Sequence, residues 1–252
     1  MLLVKIKKMI TKMPSSLMLA LFLAATSMNS AHSSEDDPLE PINRAVFGFN
    51  EVIDDVVLEP VAKGYKYVTP DPIEDSVSNF FNNLGEINTI INSTLQLKFD
   101  KTLSASGRLM INSTFGILGL FDVATKMGIE KHNEDFGQTL GYYGIPSGPY
   151  LVLPFFGPSS FRDAPSFFVD IQMEKEISPV HTELHHEERQ VIQATNVIDT
   201  RANLLQATKI LDTAAKDKYI FLRESYLQKR AKMITDGKDI QDFEIDVLEI
   251  NY

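Results

Sequence analysis

The chain has 252 residues, a length that fits one domain or two small ones, and its apolar fraction of 44% is ordinary for a globular protein. With 24 Lys and Arg against 34 Asp and Glu, the formal net charge of −10 argues against nucleic-acid binding and against docking on anionic lipid through basic residues. The sequence contains no cysteine, which excludes disulfides, zinc-thiolate sites, thiol nucleophiles and a lipid attached through cysteine.

The first 33 residues show the three-part pattern of a secretory signal peptide. Four lysines precede the apolar core LMLALFLAA (17–25), and small residues follow it. This core is shorter than the roughly 20 residues that a membrane-spanning helix requires. We therefore predict residues 1–33 as a signal peptide, with a retained N-terminal anchor as the alternative, and the residues do not decide where cleavage occurs.

In the N-terminal third of the chain, apolar side chains recur every three or four residues, which predicts short amphipathic helices. Asp37 and Pro38 have the residue types of a helix N-cap and first turn, and Pro60 is expected to end that helix. A second start signal lies at Asp71-Pro72. Gly85 is expected to separate this helix from a third one.

The central part of the chain combines helices with two unusual apolar segments. A helix from Asp100 leads into FGILGLF (115–121), which is apolar on every side and is expected to be buried or to face hydrocarbon. A short helix capped by Asn133 precedes the second segment, residues 136–163, which holds five glycines, four prolines and seven aromatic rings. Because prolines lack the donors of a strand ladder, we predict an irregular loop that covers the core or lines a cavity.

The C-terminal third predicts two long, charged helices, over residues 181–206 and 214–237, followed by an acidic tail at 238–252. No run of 18 apolar residues is present, so no membrane-spanning helix is predicted. The predicted fold class is all-α, with a single domain over residues 34–237.

The sequence offers two groups of candidates for chemistry. His181 and His185 stand four residues apart and could share a zinc ion with a carboxylate, but a solvated, charged helix start is the preferred interpretation. Ser147, Ser159 and Ser160 lack the flanking glycines of a nucleophile elbow. Glycine motifs for dinucleotides or phosphates are absent as well. We therefore predict no catalytic residue, no metal, no cofactor and no enzyme activity.

Several amphipathic helices and an apolar, glycine- and proline-rich segment indicate more apolar surface than one interior can hold. Most aromatic residues at helical spacing would form an ordinary core. The remaining apolar surface predicts contact with a membrane, a lipid or another protein. Helices too short to span a bilayer can lie in its plane.

Five segments, taken together and in order, resemble the MlaA/VacJ family of Gram-negative outer-membrane proteins. They are DPLEPINRAVFGFN (37–50), SNFFNNL (78–84), GRLMINSTFGILGLFDVA (107–124), EDFGQTLGYYGIPSGPYLVLPFFGPSSFRD (134–163), and DTRANLL with YIFLRESYLQKR (199–205 and 219–230). The resemblance extends from Asp37 to about Gly237, which is nearly the whole chain after the predicted signal peptide.

The resemblance implies a ring of short amphipathic helices lying in the outer membrane, pierced by an amphipathic channel and associated with a trimeric porin. It also implies that mislocalised phospholipid is removed from the outer leaflet and passed to a periplasmic carrier like MlaC, without bond chemistry. Members of the family typically carry a lipid on a cysteine, which this sequence lacks. Anchoring would then depend on the helical ring, on a porin or on an uncleaved signal peptide. Two alternatives stay open: a soluble periplasmic lipid-binding protein, and a structural envelope protein that docks on a porin.

The family-like segments supply the candidates for a lipid path. Arg108 or Arg162 would contact lipid phosphate, although pairing with Asp or Glu is the preferred interpretation. Phe115–Phe121 is the preferred pore-proximal or gating element. The lipid-path candidates are Arg108, Asn112, Phe115, Ile117, Leu118, Leu120, Phe121, Tyr142, Tyr143, Tyr150, Phe155 and Phe156. The residues assigned a structural role are Asp37, Pro38, Asn43, Arg44, Asn79, Gly137, Gly141, Gly144, Gly148, Pro149, Gly157, Arg162 and Asp163.

Overall fold

A computed structural model describes residues 37–178, 180 and 183–237. The predicted signal peptide, His181 and the acidic tail at 238–252 lie outside these described residues. The helices are α1 (Glu40–Ile53), a π-helical stretch (Asp54–Leu58), α2 (Glu59–Val68), α3 (Asp71–Leu95), α4 (Phe99–Thr114), α5 (Val123–Lys126), α6 (Phe136–Tyr142), α7 (Asp163–Ile177), α8 (His186–Ala214) and α9 (Lys218–Ile234). Two strands, β1 (Tyr150–Leu153) and β2 (Gly157–Ser160), form an antiparallel hairpin.

The predicted all-α class is confirmed, with the hairpin as a small addition. α3 and α4 pack against each other along their lengths, and α8 packs on α2. A cluster of buried apolar side chains joins Ile87 and Ile91 of α3 to Val169 and Met173 of α7. No described helix combines the length and the apolar character needed to cross a membrane.

Two predicted helix boundaries are wrong, one for a local reason and one because of tertiary packing. Pro60 does not end the first helix, because the π-helical stretch before it places the proline in the first turn of α2, where no backbone donor is required. Gly85 does not break α3, which runs without interruption for 25 residues. A glycine inside a helix costs about 1 kcal/mol, and the packing of α3 on α4 and α7 outweighs that cost.

Two predicted caps are also wrong. Leu39, not Asp37, occupies the N-cap of α1, and the Asp37 carboxylate instead accepts hydrogen bonds from the Leu39 amide and the Tyr219 hydroxyl. Asp135, not Asn133, caps α6, and its side chain accepts from the Gln138 amide. In each case an aspartate near the helix start is also bound by a side chain of α9, a contact that local sequence does not reveal.

The glycine- and proline-rich segment is not wholly irregular, because residues 150–160 form the hairpin. Val152 pairs with Pro158 across the two strands. The Val152 amide donates to the Asn43 side chain instead of to β2, so this is a pair without ladder hydrogen bonds. Pro158 therefore has no ladder donor to lose, which explains how a proline fits in a strand.

Two asparagines of α1 replace a third strand beside β1. Asn43 donates to the Tyr150 carbonyl at 3.0 Å and accepts from the Val152 amide at 2.9 Å. Asn50, two helical turns later on the same face, donates to the Leu153 carbonyl at 3.0 Å and accepts from the Phe155 amide at 2.8 Å. The free edge of the hairpin thus has its backbone groups satisfied without water, which allows so apolar a segment to be ordered.

Replacing Asn43 with alanine is expected to lower the free energy of unfolding by about 2–4 kcal/mol. The change removes two hydrogen bonds and leaves a buried amide and a buried carbonyl without partners. Asn50→Ala is the matched control, and a smaller loss of about 1–2 kcal/mol is expected because Phe155 is exposed and its amide can reach solvent. Equilibrium unfolding in detergent measures both values, and equal losses would contradict this account of the hairpin.

Candidate functional site

The described residues place polar side chains inside and large apolar side chains outside. The buried set contains 23 polar or charged residues against 14 apolar ones, whereas 32 large apolar side chains are exposed. Exposed apolar residues occur on every protein, but an interior richer in polar than in apolar residues is unusual. Such a distribution suits a protein whose exterior contacts hydrocarbon.

One strongly exposed apolar segment is Phe115–Phe121, which we call the apolar turn. Phe115 is 76% exposed and Leu118 is 70% exposed. The backbone is nonetheless satisfied: the Gly119 amide donates to the Asn112 carbonyl at 2.8 Å, and the Phe121 amide donates to the Gly116 carbonyl at 2.9 Å. The turn therefore presents apolar side chains outward on an internally bonded backbone, which is what contact with hydrocarbon requires.

Two glycines make this turn possible. A Cβ atom at Gly116 would overlap the Phe121 carbonyl oxygen. A Cβ atom at Gly119, whose φ is +91°, would lie 2.6 Å from the Asn83 side chain. Asn79 supports the turn from α3, donating to the Leu120 carbonyl at 3.4 Å.

A buried ionic network lies beneath the apolar turn and fixes it to α3. Arg108 donates to the Glu86 carboxylate at 2.7 Å and to the Asp122 carboxylate at 3.0 Å. Asn112 donates to Asp122 at 3.1 Å and accepts from the Ala124 amide. Burial raises the pKa of Glu86. Burial also acts to raise the pKa of Asp122, but hydrogen bonds from Thr125, Arg108 and Asn112 outweigh it and lower that pKa to about 2.

The structure brings some lipid-path candidates to the surface and places others inside. The side chains of Phe115, Ile117, Leu118, Leu120, Phe121, Tyr142, Tyr143, Phe155 and Phe156 are exposed. Arg108 and Asn112 are buried, and their partners are carboxylates, backbone groups and the Thr125 hydroxyl of the protein itself. Tyr150 is buried against Tyr219 and Tyr226, and burial raises its pKa to about 12. The carboxylate pairing preferred for Arg108 is thus observed.

A second ionic network joins the hairpin, α6, α7 and α9. Arg230 of α9 forms two hydrogen bonds with Asp135, at 2.5 and 2.9 Å, and one with Asp163 at 3.0 Å. Arg162 pairs with Asp163 at 2.8 Å, and the Tyr226 hydroxyl donates to the same carboxylate. Burial acts to raise the pKa of both carboxylates, but Arg230 and Arg162 outweigh it and lower both pKa values.

This second network forms the floor of a cleft of about 220 Å³. Its charged lining residues are Asp135, Asp163, Asp170 and Arg230. Leu153 and Phe156 of the hairpin and Phe167 of α7 form the apolar part of the lining, and the rings of Phe156 and Phe167 lie 4.9 Å apart. The cleft therefore has a polar, ionic floor and an aromatic rim.

Asp170 differs from the other two carboxylates of the cleft, because its partners are neutral. It accepts from the Asn92 side chain at 3.0 Å and from the Phe136 amide at 3.0 and 3.1 Å. It forms no ion pair with a lysine or arginine of the described chain. Burial accordingly raises its pKa to about 7.

Asp170→Asn is expected to change how stability depends on pH. The folded-state pKa of about 7 exceeds the ordinary value of 3.8, so the folded protein binds this proton more tightly than the unfolded chain. The stabilisation is complete below about pH 4 and is lost as pH rises through about 7, at up to about 1.4 kcal/mol per pH unit. Unfolding measured across this range should show that loss in the wild type and not in the variant. If the free energies of unfolding of the wild type and the variant changed in parallel with pH, the raised pKa of Asp170 would be contradicted.

The residues assigned a structural role occupy junctions between helices. Arg44 of α1 pairs with Asp217 at 2.8 Å, and Arg162 pairs with Asp163. Gly137 and Gly141 allow close approach to α9, because a Cβ atom at either position would overlap Arg230 or Ile234. Gly144, Gly148 and Gly157 have positive φ, and Pro149 and Pro38 lie just before β1 and α1.

Of the residues considered for chemistry, the described part of the chain contains His185 and the three serines but not His181, so the histidine pair stays a prediction. His181 lies outside the described residues, and Ser159 and Ser160 are buried in β2. Three acidic residues, Asp54, Asp55 and Glu59, lie close to one another, but Arg201 binds Asp54 at 2.6 Å and so neutralises that group. Nothing in the sequence predicted the roles of Asn50, Asp135, Asp170, Tyr226 and Arg230. The residue types alone gave no signal for these, because their partners are distant in the chain.

The comparisons with known proteins agree with one another. The sequence profile of the family described as "MlaA lipoprotein" matches residues 35–233. An uncharacterised protein of Rickettsia typhi is 38% identical over 77% of this chain and 76% of its own length. The protein of Escherichia coli K12 named "Intermembrane phospholipid transport system lipoprotein MlaA" is 31% identical over 88% of this chain and 87% of its own length. A solved structure described as the "structural basis for maintenance of bacterial outer membrane lipid asymmetry" superimposes with a TM-score of 0.68 and 32% identity, covering 79% of this chain and 100% of that one.

Proposed function

This chain belongs to the MlaA family, and from that premise we propose that it transports phospholipid between membranes of the cell envelope. It removes mislocalised phospholipid from the outer leaflet of the outer membrane and so maintains lipid asymmetry. Relatives from Haemophilus influenzae and Escherichia coli, at 32% and 31% identity, are named for intermembrane phospholipid transport. The single observation in the structure that supports the proposal is the apolar exterior around a polar, ion-paired interior.

The proposed location is the outer membrane, with the helices lying in the bilayer instead of crossing it. Exposed apolar side chains on α1, on the apolar turn and on the hairpin tip supply the contact area. Such surface is worth about 25 cal/mol for each Å² removed from water. Because the sequence contains no cysteine, anchoring depends on this surface, on a partner protein or on a retained signal peptide.

The proposed partners are a trimeric porin and a periplasmic lipid carrier like MlaC. A porin would cover part of the apolar exterior, and the carrier would receive the lipid on the periplasmic side. The proposed activity breaks no bond. The apolar turn is the proposed gating element of the lipid path.

A soluble lipid-binding protein is the weaker candidate. Such a protein would enclose acyl chains in an apolar cavity, for which typical volumes are about 300–1,000 Å³. The cleft beside the hairpin has about 220 Å³ and an ionic floor, so it does not fit two acyl chains. The large exposed apolar side chains would also be costly in water.

Measuring outer-leaflet phospholipid in cells that lack the gene tests the proposed function. A membrane-impermeant, amine-reactive reagent labels phosphatidylethanolamine headgroups on the cell surface. We expect labelling to rise in the deletion strain and to return to the starting level when the wild-type gene is restored. Unchanged labelling in the deletion strain would contradict the proposed transport, although the fold would be unaffected.

A further inference from the structure

We propose that the cleft beside the hairpin binds a primary ammonium group, as carried by the headgroup of an ethanolamine phospholipid. The inference rests on the proposed function, because it names a lipid class for the same protein. It concerns the cleft lined by Asp135, Asp163, Asp170 and Arg230 below the rings of Phe156 and Phe167.

The charge balance of the cleft favours a cation. Arg230 is the cationic residue of its lining, and its nitrogens are already bound to Asp135 and Asp163. Arg162 supplies a second positive charge to Asp163. Two carboxylates are thus matched by two guanidinium groups, and the Asp170 carboxylate has no cationic counterpart among the described residues. Burial of an unpaired carboxylate is unfavourable, and an ammonium ion would relieve it.

Asp170 also has the capacity to bind such a group. A carboxylate has about four acceptor positions, and its bonds in the protein come from two groups, the Asn92 side chain and the Phe136 amide. Asp170 is 9% exposed and lines the cleft. The raised pKa, about 7, shows how weakly the protein itself compensates this charge.

The rim of the cleft suits the rest of a lipid. Phe156 and Phe167 lie with their ring centroids 4.9 Å apart at an angle of 56°, and both are exposed. Aromatic faces attract ammonium groups electrostatically. They also offer apolar surface to a glycerol backbone or acyl chain. An anionic headgroup would find no free cationic partner in the cleft lining, because Arg230 is already paired with Asp135 and Asp163.

Equilibrium binding to the purified full-length protein in detergent tests this site. The probes are short-chain phosphatidylethanolamine, phosphatidylglycerol with the same acyl chains, and an N-acetylated phosphatidylethanolamine that has lost its positive charge. We expect the first to bind about tenfold more tightly than the other two, a difference typical of one charge-assisted hydrogen bond. Free ethanolamine is the fourth probe, and it should bind far more weakly than the lipid.

Two variants assign the preference to Asp170. Asp170→Asn keeps the shape and removes the charge, and it should reduce the preference for ethanolamine lipid to less than about twofold. Asp199→Asn is the matched control, because Asp199 is also buried and its hydrogen-bond donors, Tyr65, Ser78 and Asn203, are neutral. The control should retain the full preference.

Each outcome decides the matter. Equal binding of all three lipids by the wild type, retention of the preference in Asp170→Asn, or its loss in Asp199→Asn would overturn the ammonium site. If free ethanolamine bound as tightly as the lipid, the bound ammonium group would not have to come from a lipid headgroup, and the lipid part of the proposal would be overturned. The ligand comparison does not depend on variant folding. Because the comparison uses purified protein, the lipid preference can be absent while transport in cells is intact. Equally, the preference can be present while the cellular experiment shows no transport.

Discussion

Replacing Arg108 with methionine is expected to lower the free energy of unfolding by about 3–5 kcal/mol, because it leaves two carboxylates without their cation in a buried site. Arg108 is 2% exposed and binds both Glu86 and Asp122. Methionine fills similar volume, so the loss measures charge rather than packing. Equilibrium unfolding of the purified protein in detergent provides the value.

Arg44→Met is the matched control for this change. Arg44 also binds two carboxylates, Glu40 and Asp217, and its side chain packs on the Tyr219 ring at 4.5 Å. Its side chain is 38% exposed, and ion pairs in contact with water contribute about 0–1 kcal/mol. Adding Glu86→Gln to Arg108→Met should recover part of the loss, because it removes one of the stranded charges. If the two arginine variants were equally destabilised, burial would not be the cause.

The helical architecture was accessible from the sequence, because it depends on local periodicity. The apolar spacing that predicted α1 and α3 reflects neighbours one turn apart. Pro60 and Gly85 were misjudged because their effect depends on a π-helical stretch and on packing against other helices. Propensity is a weak term: tertiary packing outweighs it at Gly85, and the local π-helical geometry makes Pro60 acceptable.

The ion pairs of the interior were much harder to predict from the sequence. Arg230 lies 95 residues from Asp135, and Arg201 lies 147 residues from Asp54. Charged residues at helical spacing are ordinarily solvated, and residue type does not say which arginine meets which carboxylate. The asparagines of α1 present the same difficulty. In the sequence, Asn43 is only a polar residue on a predicted helix. Its hydrogen bond to Tyr150, 107 residues away, is known only from the structure.

A triple substitution in the apolar turn, Phe115→Ser, Leu118→Ser and Phe121→Ser, is expected to abolish membrane binding and transport with little effect on folding. All three side chains are exposed, so they contribute little to the buried core. Surface substitutions usually change stability by less than about 0.5 kcal/mol. If the turn lies in hydrocarbon, each side chain contributes about 1.5–3 kcal/mol to membrane binding.

Flotation with vesicles of phosphatidylethanolamine and phosphatidylglycerol measures the first effect. Binding of the variant should fall by more than tenfold, because about 1.4 kcal/mol corresponds to a factor of ten. In cells, outer-leaflet labelling should reach the level of the deletion strain. Unfolding measurements must show that the variant is folded, because a hydrogen bond from Asn79 of α3 holds the backbone of the turn.

The matched control replaces three exposed apolar residues of α8, namely Val191, Val197 and Ile210, with serine. It removes a comparable number of apolar side chains from the surface without touching the apolar turn. We expect vesicle binding and cellular labelling near the wild-type level. If both triple variants lose membrane binding to the same extent, the apolar exterior acts as a whole, and the turn has no special position in the lipid path. If only the turn variant fails, the location of the turn decides the function: internal hydrogen bonds satisfy its backbone, so the turn can lie in hydrocarbon with its exposed apolar side chains against lipid.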